Sequence, residues 1–87
     1  MCTYISNSAT VIGAGKGASG WFRVNQATVG FDHPTFTSAE HAILIDFTSR
    51  GEDLSARVAV ELDLESGRAL LATLTETIRA AEASGVE

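Results

Sequence analysis

The sequence predicts an α+β fold in which four antiparallel strands precede one C-terminal helix, in the order ββββα. Four segments alternate apolar and polar residues with the period of two that is typical of strands. The last part of the chain instead spaces its apolar residues three and four apart, as one face of a helix does. The connections are short, which favours a four-stranded meander with the helix packed on one face of the sheet.

The strands are predicted from alternation and from their β-branched and aromatic content. Residues 2–12 form the first strand, and the glycine-rich residues 13–20 connect it to the second strand at 21–32. Residues 41–49 and 56–63 form the third and fourth strands.

The helix is predicted over residues 64–83. Asp63 is expected to cap its N-terminus, with Ser66 as a second candidate, because a short oxygen-bearing side chain can accept hydrogen bonds from the first-turn N–H groups. Gly85 is a plausible C-terminal stop, and the internal Gly67 is a local weakness. The acidic residues around the fourth strand and the helix start are expected to belong to the cap and to a solvated face.

One helix of this length leaves the second face of the sheet uncovered. That face carries apolar side chains among polar ones, namely Phe22, Val24, Ala42, Leu44 and Ala59. Such a face is usually either solvated or paired with a second subunit. We favour pairing and expect a homodimer through it.

Composition narrows the class of protein. The 87 residues are expected to form a single domain, 1–87, with a net charge of −5 and only six scattered Lys and Arg residues. Nucleic acid and anionic membrane surfaces are therefore not expected partners, because both need a clustered basic patch. No apolar run approaches a membrane span, Cys2 is the one cysteine, and the N-terminus lacks the pattern of a signal peptide. A cytoplasmic location is expected.

The register of the second and third strands brings the two histidines of the chain together. Facing residues in an antiparallel pair have numbers of constant sum, and a sum that sets Val29 opposite Ile45 gives every apolar residue an apolar partner. The same sum sets His33 opposite His41 at the mouth of a seven-residue loop, with Cβ atoms about 4.5–5.5 Å apart.

Two imidazoles at that separation can share one transition-metal ion. The first strand returns toward the same end of the sheet, so Cys2 is the predicted third ligand beside His33 and His41. This ligand set suits Zn, Cu or Fe. An open coordination position would make the protein a metal-dependent enzyme acting on a small molecule. The plainer interpretation is that the histidines only stack or bond to the backbone at a turn.

Three further residues are candidates for catalysis. Asp32 and Glu40 are carboxylates beside the histidines that could bind the metal ion, orient an imidazole or act as a base. Tyr4 could donate a proton if it faces them. The motif G-x-G-x-x-G at residues 15–20 is a weak phosphate-loop signal, because it opens a strand and not a helix.

The alternative is a non-catalytic module that acts as a homodimeric interaction domain or binds a small ligand. It rests on the half-apolar second face and on the small number of titratable groups within reach of one another.

Several short motifs carry a resemblance to a known group of proteins. They are MCTY at the start, GKGASGWF, FDHP, AEH, IDF and ARVAVEL, and together they span nearly the whole chain. The sequence resembles a group of short bacterial, mostly actinobacterial, proteins classed as a domain of unknown function. The resemblance implies a bacterial cytoplasmic protein of this size and implies no activity.

Overall fold

The computed structural model describes residues 5–51 and 56–85. These residues form the strands β1 (Ile5–Gly17), β2 (Gly20–Asp32), β3 (Ala42–Thr48) and β4 (Arg57–Leu62), followed by the helix α1 (Leu64–Ala83). The strands make one antiparallel sheet in the order β1-β2-β3-β4. The predicted α+β class, the meander and the ββββα order are confirmed. Within the described part of the chain, no helix has the length and apolar character needed to cross a membrane.

The register between β2 and β3 is the predicted one. Val29 pairs with Ile45 and Phe31 pairs with Ile43, so the apolar residues of the two strands meet on one face. The same face continues onto β4, where Val60 pairs with Ile45. A slip by one residue would set these side chains against polar ones, which is why the pattern alone determines the register.

The glycine-rich segment differs from its prediction. β1 continues through Gly17, so only Ala18 and Ser19 form the turn. A Cβ atom added to Gly15 would lie 3.1 Å from Val24 Cγ2 and 3.4 Å from Val58 Cγ2. The glycine therefore permits a close approach between β1 and its neighbours. The prediction that residues 13–17 belong to the connection between the strands was wrong, because they are part of β1.

The sheet curls without closing. Its β1–β2 register shifts between Thr10 and Gly13, and beyond this irregularity β1 reaches β4. Val24 consequently lies in a hollow with Phe47 and Val58. These two residues belong to the apolar face that β2, β3 and β4 share, which we call the first apolar face. The second face that the sequence predicts does not form as one surface, because the register shift and the curl bring Val24 to the other group of side chains.

The ends of α1 are those that the sequence predicts. The carboxylate of Asp63 accepts a hydrogen bond from the backbone N–H of Ser66 at 2.7 Å, which makes Asp63 the N-cap. Ser84 is the C-cap, and Gly85 follows with φ at +76°, the left-handed conformation that commonly ends a helix.

The packing of α1 is less extensive than predicted. None of its residues is buried, and it contacts the sheet near its start, where Leu64 and Gly67 lie beside Ile43. A Cβ atom on Gly67 would lie 3.0 Å from Ile43 Cγ1, so the glycine permits this approach. Asp63 alone connects β4 to the helix, which leaves little chain for turning the helix back across the sheet.

Candidate functional site

The two histidines lie together where β2 and β3 separate. Asp32 and Ala42 are the last paired residues of these strands, and His33 and His41 are the first and last residues of the loop that follows, residues 33–41. Their ring centroids are 4.7 Å apart, with the ring planes inclined by 43°. The facing pair that the register predicts is therefore present.

Each ring is held by a different contact. The His41 ring stacks on the Phe31 ring, with centroids 5.4 Å apart and planes within 20° of parallel. Nδ1 of His33 lies 3.0 Å from the backbone carbonyl oxygen of Glu40. A carbonyl oxygen only accepts, so Nδ1 carries the hydrogen in this bond. When the ring is neutral, the free lone pair is then on Nε2, and this nitrogen can bind a metal ion.

The two predicted carboxylates occupy different positions around the pair. Asp32 Oδ1 accepts a hydrogen bond from the backbone N–H of His33 at 2.7 Å, which is turn chemistry and fixes the start of the loop. The backbone carbonyl of Glu40 accepts the hydrogen bond from the His33 ring, and Glu40 is exposed at the mouth of the loop. Tyr4 and Cys2 lie outside the described residues.

The loop is fixed to the sheet by a residue that sequence reasoning missed. The Glu61 carboxylate on β4 accepts hydrogen bonds from the backbone N–H groups of Thr35 at 2.7 Å, of Phe36 at 3.1 Å and of Thr37 at 2.8 Å. The Thr37 hydroxyl donates a further bond at 2.9 Å. The sequence offers one signal for this role, since β4 runs back beside β3 and brings Glu61 opposite Leu44, close to the loop end of the sheet.

These bonds act on the ionised carboxylate. The backbone N–H groups of Thr37 and Thr35, in that order of effect, lower the pKa of Glu61 below its ordinary value of 4.5. Glu61 therefore stays charged at neutral pH and holds the histidine loop against β4.

The histidine pair is not joined by a third ligand among the residues described. In residues 5–51 and 56–85, no group of three or more His, Cys, Asp or Glu side chains is placed to hold an ion. The first described residue of β1, Ile5, pairs with Phe31, two residues before His33. The N-terminal end of β1 is therefore at the same end of the sheet as the histidines.

Comparison with known proteins identifies a family. A family model described as a family of unknown function (DUF6295) matches residues 1–87. No curated protein and no solved structure matches the chain.

Proposed function

Because the chain belongs to DUF6295, a family of unknown function, we propose its function from the histidine pair: a small metal-binding protein in which His33 and His41 bind one transition-metal ion. The single observation that carries the proposal is the 4.7 Å separation of the two rings at the mouth of an anchored loop. A cytoplasmic location and a bacterial source remain expectations from the sequence.

The ring positions suit a shared ion. Zn²⁺ is held about 2.0–2.1 Å from each ligating imidazole nitrogen, so two ligating nitrogens must lie a little over 3 Å apart. Rings with centroids 4.7 Å apart are close enough for this. The Nδ1 bond of His33 to a backbone carbonyl is the usual outer contact of a metal-binding histidine, because it fixes both the tautomer and the ring direction.

Cys2 is the proposed third ligand. It is three residues before Ile5, which keeps the two Cα atoms at most about 11 Å apart. Ile5 is paired at the histidine end of the sheet. A thiolate with two imidazoles is a donor set that Zn, Cu and Fe accept, and it leaves a tetrahedral ion one open position.

The open position is where a metal-dependent reaction on a small molecule would take place. Glu40 is the proposed base, since it is an exposed carboxylate residue directly before His41 and its backbone carbonyl accepts from His33. Asp32 is a positioning residue, because its carboxylate holds the backbone N–H of His33. Tyr4 is proposed as a proton donor.

Isothermal titration of tag-free protein with Zn²⁺, together with elemental analysis of the protein as purified, tests the metal site. We expect saturable binding of one ion per chain, at least tenfold weaker in His33→Ala and in His41→Phe. The second variant retains an aromatic ring for stacking on Phe31 and removes only the ligand. Cys2→Ser should weaken binding to a smaller extent.

Phe36→Ala is the matched control, because Phe36 is an exposed side chain in the same loop. Its Zn²⁺ affinity should equal that of the unmodified protein. Saturable binding that is unchanged in both histidine variants would refute the proposal, as would the absence of saturable binding in the unmodified protein.

The second candidate is the non-catalytic module, for which a hollow in the curled sheet is the specific observation. The hollow has a volume of about 430 Å³, and its lining includes Trp21, Val24, Phe47, Val58 and Lys16. It is largely apolar with one cation, so it suits a small apolar anion. Trp21 is the one tryptophan of the chain. A fluorescence change at Trp21 on adding anilinonaphthalene sulfonate, with no metal binding, would favour this candidate.

A further inference from the structure

An apolar stripe runs along α1 without a partner among the other described residues of its chain. Leu71, Leu74 and Ile78 follow one another at spacings of three and four residues and therefore lie on one face. They are 65%, 53% and 49% exposed. The stripe begins at Leu64 and Gly67, which contact the sheet, so it continues outward from the apolar face of the sheet.

The first apolar face of the sheet is also left partly exposed by the residues that the structure describes. Val29, Phe47 and Val60 lie on it, and they are 41%, 37% and 37% exposed. In the described part of the chain, only Val24, Ala42 and Ser49 are buried. One chain thus carries two apolar surfaces of complementary kind, a helix stripe and a curved sheet face.

The exposed area is larger than that expected for a monomeric protein of this mass. A monomeric protein of 9.1 kDa is expected to expose about 4,900 Å². This chain exposes 6849 Å², an excess of roughly 2,000 Å². Two chains that each buried this excess would form an interface of roughly 4,000 Å², within the range of obligate homodimers.

We infer that the stripe Leu71–Leu74–Ile78 of one copy of the chain covers the sheet face Val29–Phe47–Val60 of a second copy, and the reverse. A twofold axis makes each contact occur twice, so one helix and one sheet face per chain satisfy both surfaces. The helix is about 30 Å long, enough to reach across a four-stranded sheet. The inference does not depend on the metal site, since none of these residues belongs to it.

Size-exclusion chromatography with light scattering tests the association. The unmodified protein should be a dimer at micromolar concentration, and Leu74→Glu and Ile78→Glu should be monomers with at least a hundredfold weaker association. Ala69→Glu and Ala80→Glu add the same charge on the opposite face of α1 and should remain dimers. A monomeric unmodified protein would overturn the inference, and so would dimers of all four variants.

Cysteine cross-linking in a Cys2→Ser background tests which surfaces meet, and it does not require a variant that disrupts folding. The pair Ile78→Cys with Val29→Cys should give covalent dimers under mild oxidation, and Ala80→Cys with Val29→Cys should give few. A disulfide bond within one chain would show that the helix folds back onto its own sheet. It would overturn the inference that the helix covers the sheet face of a second copy. Equal dimer yield from Ile78→Cys alone would place helix against helix and would also overturn it.

Discussion

At the scale of single residues, Glu61 gives the most specific pH prediction. Its folded pKa lies below the ordinary 4.5 because backbone N–H groups of the loop bind the ionised form. The stability that these bonds contribute is fully present above pH 4.5 and is lost as the pH falls through the lower, folded pKa. Glu61→Gln keeps the shape of the side chain and replaces one accepting oxygen with a donating amide nitrogen. The variant should therefore have a lower melting temperature than the unmodified protein at pH 7.

The difference in melting temperature between Glu61→Gln and the unmodified protein should narrow as the pH falls below about 4.5. Thermal unfolding followed by circular dichroism from pH 7 to pH 3 measures it. Glu76→Gln, which neutralises an exposed carboxylate in the middle of α1, is the control and should show little change at pH 7. A difference that stays constant with pH would contradict the role assigned to the charge of Glu61.

Contacts between single residues could be predicted from the sequence where the strand register or a short separation along the chain determines which residues meet. His33 and His41 follow from the strand register, and the Asp63 cap follows from its position three residues before Ser66. Glu61 was not predictable from spacing, because its partners are 24 to 26 residues away. Their position depends on how the loop folds over the sheet, which a pattern of alternating residues does not encode.

At the scale of elements, the start of α1 depends on one side chain. Asp63→Ala removes the acceptor for the Ser66 N–H and leaves that group to water. We expect the melting temperature to fall by several degrees, because N-cap removal destabilises the helix and the protein together. The circular dichroism signal of the helix at 222 nm should also decrease. Asp63→Asn retains a capping oxygen and should lose little.

Glu76→Ala is the control for this prediction, since it removes a charge from the helix interior without touching the cap. Equal effects of Asp63→Ala and Asp63→Asn would show that the charge, and not the capping bond, determines the stability of α1.

The boundaries of helices and strands could be predicted where a capping residue or a glycine marks the end of the element. They could not be predicted where packing between distant parts of the chain determines the end. The helix limits, Leu64–Ala83, agree with the prediction because a cap and a left-handed glycine mark both ends. β1 extends five residues into a glycine-rich segment because glycine permits close packing there as well as flexibility. The course of α1 away from the sheet depends on the one-residue connection at Asp63. The apolar periodicity of the helix carries no information about the direction in which it runs.

At the scale of the whole molecule, the single chain is expanded for its length. Its radius of gyration is 14.6 Å, where a compact domain of this size has about 12 Å. If two copies complete one core, stability depends on mass action, so the melting temperature should rise with protein concentration. Calorimetry over a hundredfold concentration range measures this. Ile78→Glu should melt at a lower temperature without concentration dependence, and a concentration-independent unmodified protein would contradict the shared core.

The attachment of the histidine loop to β4 has a consequence for folding kinetics. The bonds from residues 35–37 to Glu61 join parts of the chain that β3 separates, so we expect them to form after β3 and β4 have paired. Contacts that form after the transition state affect the unfolding rate and leave the folding rate nearly unchanged. We therefore expect the loop to be added to a sheet that has already assembled, and to detach early when the sheet begins to open.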